Sequence, residues 1–239
     1  APNDNDFGSG DHTTMRLWEV AGRNPIITYK NHKESNGTIS FDFEAKLRGI
    51  EAKVDLTYTV NQDGSLTISA FYKALNDQLP EMMRFGMIMS LPNSYDNFTW
   101  YGRGPHENYV DRNIDAFMGI WEGKVADQVF PYYRPQEAGN KTDVRWMTLK
   151  NEKGQGIQIS GAQPLSVSAT HNRPEDWDPG VTKKQQHASD VKPRNEVVLC
   201  VDLFQRGVGG LHSWGAKPLD KYRFSDSEYQ YSFTIKVLD

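Results

Sequence analysis

The residues with the clearest potential for chemistry lie in the stretch "WYGRGPHENYVDR", residues 100 to 112. Glu107 and Asp111 stand four positions apart, and glycosidic hydrolysis needs two carboxylates, one as acid and one as nucleophile or base. Pairs at this spacing are common, however, and Pro105 among glycines is typical of a tight turn. The stretch therefore favours a structural corner in which Glu107, Asn108 and Asp111 bond loop backbone, with a catalytic pair as the alternative.

Other catalytic and metal-binding patterns are missing. The six histidines, His12, His32, His106, His171, His187 and His212, do not form metal-ligand spacing with one another or with carboxylates. A "GxSxG" nucleophile pattern is absent, and "GVGG" at 207–210 lacks the strand and helix context of a phosphate-binding loop. The sequence therefore disfavours nucleotide binding, a hydrolase triad and a metal centre.

Two tryptophans lie in sequences typical of loops. Trp214 falls between Gly210 and Gly215, just after a predicted strand, in a segment too rich in glycine for a core element. Its broad apolar ring suits stacking on the hydrogen-bearing face of a pyranose, while the alternative is a tryptophan tucked over the sandwich edge. For Trp177, in "HNRPEDWDPG", a packed position is favoured.

Composition limits the class of protein. The chain has 239 residues, enough for one large all-β sandwich, and aromatic residues make up 12% of it. The net charge is −4 and the basic residues are scattered, which disfavours nucleic acid and a polybasic membrane contact. No apolar run is long enough to span a bilayer, and the start shows neither signal-peptide features nor an initiator Met, which predicts a processed or excised piece. Cys200 lies in an apolar run, which predicts a buried thiol.

The dominant period of the sequence is two, which indicates half-buried strands. Ile39, Phe41, Phe43, Ala45 and Leu47 share one face, as do Tyr229, Tyr231, Phe233, Ile235 and Val237. Strands are predicted at 38–47, 51–60, 65–72, 83–91, 144–151, 156–161, 195–203 and 229–238. Nothing comparable repeats at the helical period, and residues 98–139 are predicted to form long loops. One large antiparallel sandwich is the simplest interpretation.

Four blocks of the sequence, in this order, resemble a known family. They are "APNDNDFG" at 1–8, "WYGRGPHENYVDR" at 100–112, "PYYRPQEAGNKTDVRWM" at 131–147 and "HSWGAKP" at 212–218. Together they resemble the C-terminal domain (the small chain, or fifth domain) of family 2 β-galactosidases of the LacZ type. The resemblance covers essentially the whole chain. It implies a single β-sandwich domain over residues 1–239, a C-terminal fragment that lacks the family's first strands.

The resemblance also implies a fold and a function. The fold would be an all-β supersandwich of the galactose mutarotase-like type. The function would be hydrolysis of terminal β-D-galactosides such as lactose, with retention, by two glutamates of a (β/α)₈ barrel that this chain lacks. The chain alone would then be inactive. Its implied partners are the galactoside and the remaining domains or large subunit, within a homo-oligomer that can bind Mg²⁺ and Na⁺. The compartment stays open between bacterial cytoplasm and periplasm.

Particular residues take roles from the resemblance. The substrate-binding residues would be Trp214, His212, Gly8 and Ser9, with Trp214 stacking on the sugar or aglycone. Residues 7–12 resemble a flexible segment beside the pocket, with Gly8 and Gly10 as its hinges. The family commonly has an acidic residue where this chain has His212. The structural corner would comprise Gly102, Arg103, Gly104, Pro105, Glu107, Asn108, Tyr109, Asp111 and Arg112, so that no catalytic residue lies in this chain.

Two further functions remain as alternatives. A stand-alone carbohydrate-binding module would bind galactose without a catalytic partner. An aldose 1-epimerase-like protein would need a histidine acid and a glutamate base, for which His171 and Glu175 are the available pair.

Overall fold

The fold is built almost entirely from antiparallel strands. The computed structural model describes residues 1–178, 180, 187–210, 212 and 214–239. The strands of this part are β1 Ile26–Ser35, β2 Thr38–Lys46, β3 Ala52–Val60, β4 Leu66–Ala74, β5 Arg84–Pro92, β6 Asn97–Gly104, β7 Phe117–Lys124, β8 Lys141–Lys150, β9 Gly156–Thr170, β10 Glu196–Gln205 and β11 Glu228–Leu238. The helices are α1 Asp4–Ser9 and α2 Asp11–Arg23, with short 3-10 turns at Val125–Gln128, Pro174–Trp177, Ala188–Asp190 and Asp220–Tyr222. All eight predicted strands are confirmed.

The strands form two layers joined by β9. The larger layer has the order β1-β2-β3-β4-β11-β9-β8-β6-β7, and β5 pairs with β10, which pairs with the second half of β9. Gly161 lies where β9 stops pairing with β11, and a Cβ there would come within 2.2 Å of the Gln163 carbonyl oxygen. Phe85 of β5 packs against Tyr231 of β11, with ring centroids 5.3 Å apart. The predicted antiparallel all-β sandwich is therefore confirmed.

The core lies between these layers. On β4 and β11 the alternation selects Ile68, Tyr72, Tyr231 and Phe233, which are all buried. Farther from the second layer, burial decreases, and β1 is exposed along its whole length. Ile39 and Phe41 are accordingly exposed, although they share a face with the buried Ala45. The period thus predicted which residues share a face, and the position of the covering layer decides which of them are buried.

The sequence interpretation missed the helix α2 and several strands, including β1. The helix α2 was missed because its apolar face is narrow: Met15 and Ala21 are buried and Trp18 packs on the core, while the rest is largely polar. Residues 98–139 are not simply loops, since they contain most of β6 and all of β7. Among the described residues, no helix has the length and apolarity needed to cross a membrane.

Glycine explains why β6 was mistaken for part of a loop. Gly102 and Gly104 lie within β6, so the corner proper begins at Pro105. A Cβ at Gly102 would come within 2.8 Å of the Val144 side chain, and one at Gly104 within 2.6 Å of the Trp121 ring. These glycines are needed because neighbouring side chains pack directly on the strand backbone, and not because the chain turns at them.

Candidate functional site

The corner after β6 is held together by polar side chains that bond backbone. Asn108 is fully buried, and its side-chain oxygen accepts hydrogen bonds from the Thr142 N–H at 2.9 Å and the Thr142 hydroxyl at 2.6 Å. Its amide donates to the carbonyl oxygens of Arg103 and His106. The Arg103 guanidinium in turn donates to Asn113 and Ala116 carbonyl oxygens. The corner is therefore closed by bonds that no sheet supplies.

Both carboxylate oxygens of Glu107 accept hydrogen bonds from within the corner. One oxygen accepts hydrogen bonds from Arg112 at 2.8 Å and from the Tyr132 hydroxyl, and the other accepts the Gly139 N–H at 2.7 Å. Tyr109 is buried beneath the Arg112 guanidinium, which lies 5.3 Å from the ring centroid, and burial raises the pKa of its hydroxyl. The geometry supports the structural role expected for Glu107, Tyr109 and Arg112.

Asp111 connects this corner to the loop after β10. Its two carboxylate oxygens accept the backbone N–H groups of Val208 at 3.1 Å and Gly209 at 2.8 Å. A Cβ at Gly207 would come within 2.6 Å of the same carboxylate, so the loop lies directly against it. Asp111 therefore anchors the segment that leads to Trp214.

Asp111→Ala is expected to lower the free energy of unfolding by about 1 to 2 kcal/mol, because two backbone donors lose a charged acceptor. Urea denaturation of the chain measures this. Asp115→Ala is the matched control, since Asp115 is 70% exposed and pairs with His106 at 3.3 Å, and its effect should stay below about 0.5 kcal/mol. Equal effects of the two substitutions would contradict the anchoring role.

The N-terminal residues form two short helices that meet at Gly10. Asn3 caps α1 by accepting the Asn5 and Asp6 N–H groups, and the Asp6 carboxylate accepts the Asn3 N–H in return. Gly10 has a φ of +80°, which turns the chain into α2. The loop expected at residues 7–12 is therefore wrong as a description, because these residues end one helix and begin the next.

The N-terminal helices and the tryptophan loop touch backbone to backbone. A Cβ at Gly8 would lie 2.9 Å from the Gly215 Cα, and one at Gly215, which has a φ of +84°, would lie 2.3 Å from the Gly8 carbonyl carbon. The neighbouring Ser9 hydroxyl donates to the Asp6 carbonyl oxygen. Gly8 and Ser9 thus lie beside the turn that carries Trp214.

A buried arginine joins the two segments. Arg206, 3% exposed, forms ion pairs with Asp6 at 2.5 Å, Asp11 at 3.1 Å and Glu81 at 3.2 Å. Burial raises the pKa of Asp6, although the guanidinium and the Asn3 N–H oppose that effect. Lys217, just past the tryptophan, adds a second cation at 2.8 Å from Asp11. We call Arg206, Asp6, Asp11 and Glu81 the arginine cluster; it holds the N-terminal helices against the loop.

Trp214 projects from this framework into solvent. The residue is 87% exposed, and its backbone N–H bonds the exposed ring of His212 at 3.0 Å. The alternative of a tryptophan tucked over the sandwich edge is therefore wrong for Trp214, whereas Trp177 is buried as expected. Ser213, within the same block, lies outside the described residues. The arrangement presents an exposed aromatic ring a few residues after the anchored Val208 and Gly209, which suits a sugar face.

The remaining candidates are used elsewhere. His171 bonds the Glu196 carbonyl oxygen and faces Asp96, whereas Glu175 lies 3.7 Å from Arg23, so the two have different partners. Cys200 is buried, and burial raises the pKa of its thiol. Within the described residues, no group of three or more His, Cys, Asp or Glu could hold a metal ion.

Sequence reasoning missed the arginine cluster, although a signal was present. Arg206 directly follows the apolar strand β10, and Asp4 and Asp6 stand in the first block of the resemblance. A charge at the end of a buried strand needs a counter-charge, and the aspartates of that block were available to provide it.

The chain is similar to a known family and to several curated proteins. A family model described as "Beta galactosidase small chain" matches residues 1–235. The β-galactosidase of Priestia megaterium is 34% identical over 239 residues, covering 100% of this chain and 22% of that protein. The β-galactosidase of Halalkalibacterium halodurans is 30% identical over 242 residues, covering 98% of this chain and 23% of that protein. The chain spans about a fifth of the length of these relatives.

Two solved structures that align with this chain share little sequence identity with it. A galactose mutarotase related enzyme from Lactobacillus acidophilus aligns with a TM-score of 0.45 and 12% identity, over 90% of this chain and 72% of that one. The GH36 α-galactosidase AgaB from Geobacillus stearothermophilus aligns with a TM-score of 0.45 and 10% identity, over 90% of this chain and 28% of that one.

Proposed function

The chain belongs to the β-galactosidase small-chain family, and from that premise we propose that it is the C-terminal domain of a family 2, LacZ-type β-galactosidase. In this role it completes the wall of the active site for hydrolysis of terminal β-D-galactosides such as lactose. The two glutamates of the retaining mechanism belong to a barrel outside this chain, so the chain alone is inactive.

One observation carries this proposal: Trp214 is 87% exposed, and the chain before it is held at Val208 and Gly209 by Asp111 and at Arg206 by the arginine cluster. Leaving so large an apolar surface bare in solvent is unfavourable, whereas the face of a pyranose covers it well. The bonds from Asp111 to Val208 and Gly209 lower the backbone entropy that this segment loses on binding. Gly8, Ser9 and His212 lie beside the backbone of Trp214 and Gly215, and we assign them the hydroxyl-facing positions of the proposed site.

The chemistry assigned to this domain is binding and orientation. Trp214 would stack on the sugar or aglycone beyond the scissile bond and hold it against the catalytic glutamates of the partner. Mg²⁺ and Na⁺ would act near the barrel of the complete enzyme, as the resemblance to the family implies. The partner is the remaining part of the enzyme, as domains or a large subunit, and the whole would form a homo-oligomer.

Trp214→Ala in the complete enzyme is expected to raise the KM for lactose about 2- to 10-fold, because a stacking contact contributes about 0.5 to 1.5 kcal/mol. Trp214→Phe should retain most of the affinity. Phe117→Ala is the matched control, because Phe117 is also an exposed aromatic residue, at 70%, but lies on β7. Steady-state kinetics with lactose measure the KM of each variant, and an unchanged KM in Trp214→Ala would contradict the stacking role.

A stand-alone carbohydrate-binding module is the second candidate, because the same exposed ring of Trp214 would serve it. Such a module binds galactose tightly without a catalytic partner. Calorimetric titration of the chain with galactose and lactose separates the two functions. Submillimolar binding lost in Trp214→Ala would favour the module, and its absence favours the site-completing domain.

A further inference from the structure

The end of the sheet opposite Trp214 contains a cleft with a volume of about 550 Å³, formed by two turns and His171. One turn, residues 93–96, joins β5 to β6, and the other, residues 151–155, joins β8 to β9. We call it the turn cleft. Strand β6 begins here at Asn97 and ends at Gly104, next to the corner that Asp111 links to the tryptophan loop. A strand of this length separates the two regions by roughly 23 Å.

The walls of the turn cleft are pinned together by one lysine. The Lys124 ammonium lies 2.7 Å from the Asn97 side-chain oxygen, 2.8 Å from Glu152 and 3.5 Å from Asp96, and so connects both turns. Asp96 is fixed further, because its backbone and side-chain oxygens both accept the Val125 N–H. The second turn is closed by its own backbone bonds. The cleft is therefore preformed, and its volume lies within the range of small-molecule sites.

One wall presents two hydrogen-bond acceptors. The His171 Nδ1 lies 3.0 Å from the Glu196 carbonyl oxygen, which can only accept, so this nitrogen donates. In the neutral ring Nε2 is then an acceptor, and it faces a second acceptor, the Asp96 carboxylate, at 3.6 Å. A ligand hydroxyl entering the cleft can donate to either of them.

Three other side chains of the lining are donors with no internal partner, two on the same turn as Asp96 and one on the second turn. Asn93, Ser94 and Lys153 are exposed, and their side chains make no hydrogen bond to any other described residue, although the Lys153 backbone N–H donates to the Asn151 side chain at 2.9 Å. Their amide, hydroxyl and ammonium groups can all donate to ligand oxygens. The charges balance, because Asp96 and Glu152 are offset by Lys124 and Lys153. A neutral ligand with several hydroxyl groups fits this pattern better than a phosphate or a metal cation.

From this arrangement we propose that the turn cleft is a second binding site, distinct from the Trp214 region, for a neutral polyhydroxyl ligand such as a hexose. The ligand donates hydroxyl hydrogens to Asp96 and His171 and accepts from Asn93, Ser94 and Lys153. The cleft offers no aromatic ring for stacking, so the ligand is held by hydrogen bonds alone. Because these replace hydrogen bonds to water, their net contribution to the binding free energy is small, and we expect a dissociation constant in the millimolar range. This proposal does not depend on the proposed function.

The test is titration of the isotope-labelled chain with galactose up to 100 mM, followed by amide chemical shifts. Saturable shifts are expected at residues 93–96, 151–155 and 171. The double variant Asn93→Ala/Ser94→Ala should weaken them at least about 10-fold, and Lys153→Ala several-fold, without loss of folding because these side chains make no internal bonds. Lys46→Ala, another exposed lysine, and Trp214→Ala should leave the shifts unchanged.

Three outcomes would overturn the turn cleft as a polyol site. They are no saturable shift in these residues, saturation by inorganic phosphate but not by galactose, and shifts that disappear in Trp214→Ala. The proposed function is tested separately by catalytic activity with a partner. Failure of one proposal therefore leaves the other standing.

Discussion

Arg206→Met is expected to lower the free energy of unfolding by about 3 to 5 kcal/mol at pH 7, because it leaves buried carboxylates without their shared cation. Asp6 is affected most, since Arg206 is the side-chain cation it pairs with at 2.5 Å. Glu81 keeps Arg223 and Asp11 keeps Lys217. The N-terminal helices should also become more sensitive to proteolysis. Urea denaturation and limited proteolysis measure the two effects.

The pH dependence of this variant follows from Asp6. Burial raises the pKa of Asp6 above its usual value, and loss of the guanidinium raises it further. Protonation removes the unpaired charge, so the destabilisation should be smaller at pH 4 than at pH 7. Arg223→Met is the matched control, because that side chain is partly exposed, and about 1 kcal/mol is expected. A loss below about 1 kcal/mol for Arg206→Met would contradict the account of the arginine cluster.

Lys141→Met is expected to raise the free energy of unfolding by about 1 to 4 kcal/mol at pH 7. Lys141 is 1% exposed, its ammonium lies 3.4 Å from the Gly139 carbonyl oxygen, and it lies 5.2 Å from the Trp100 ring. Burial lowers its pKa to about 8, which corresponds to about 3 kcal/mol of destabilisation when the lysine is charged. Methionine fills a similar volume without a charge.

The gain from Lys141→Met should depend on pH in a defined direction. Because the pKa in the folded state is about 8 and that of the unfolded chain is near 10.5, the unfolded chain binds more protons between these values. Wild-type stability from this group therefore rises with pH above 8, and the advantage of methionine shrinks by pH 10. Lys46→Met, at an exposed position, is the control and should change little. A Lys141→Met chain less stable than wild type at pH 7 would contradict this account.

Much of the sandwich could be predicted from the sequence because strands leave a local signal. The alternation of Tyr229, Tyr231 and Phe233 identified β11, which pairs with β4 and β9. Trp214 was also found locally, since a tryptophan between glycines has few places to pack. The two-residue period of the sequence does not, however, show which strand faces the second layer covers. It therefore could not predict that Ile39 and Phe41 are exposed.

The rest depends on contacts between distant residues. Gly102 and Gly104 indicated a loop, and only the approach of Val144 and Trp121 to the strand backbone shows why glycine stands there. Asp6 and Arg206 are 200 residues apart, and no local pattern predicts that they meet. Asp111 likewise bonds a loop nearly 100 residues away. The geometry of the tryptophan loop therefore required the folded chain.

The central claim is tested most directly by hydrolysis of a chromogenic β-galactoside. The assay compares the chain alone, the barrel-containing remainder of the enzyme alone, and the two mixed. The account predicts activity in the mixture, little or none in either component, and a raised KM when the chain carries Trp214→Ala. Activity of the chain by itself would contradict it and return attention to Glu107 and Asp111, and full activity of the remainder without this chain would show that the site needs no completion.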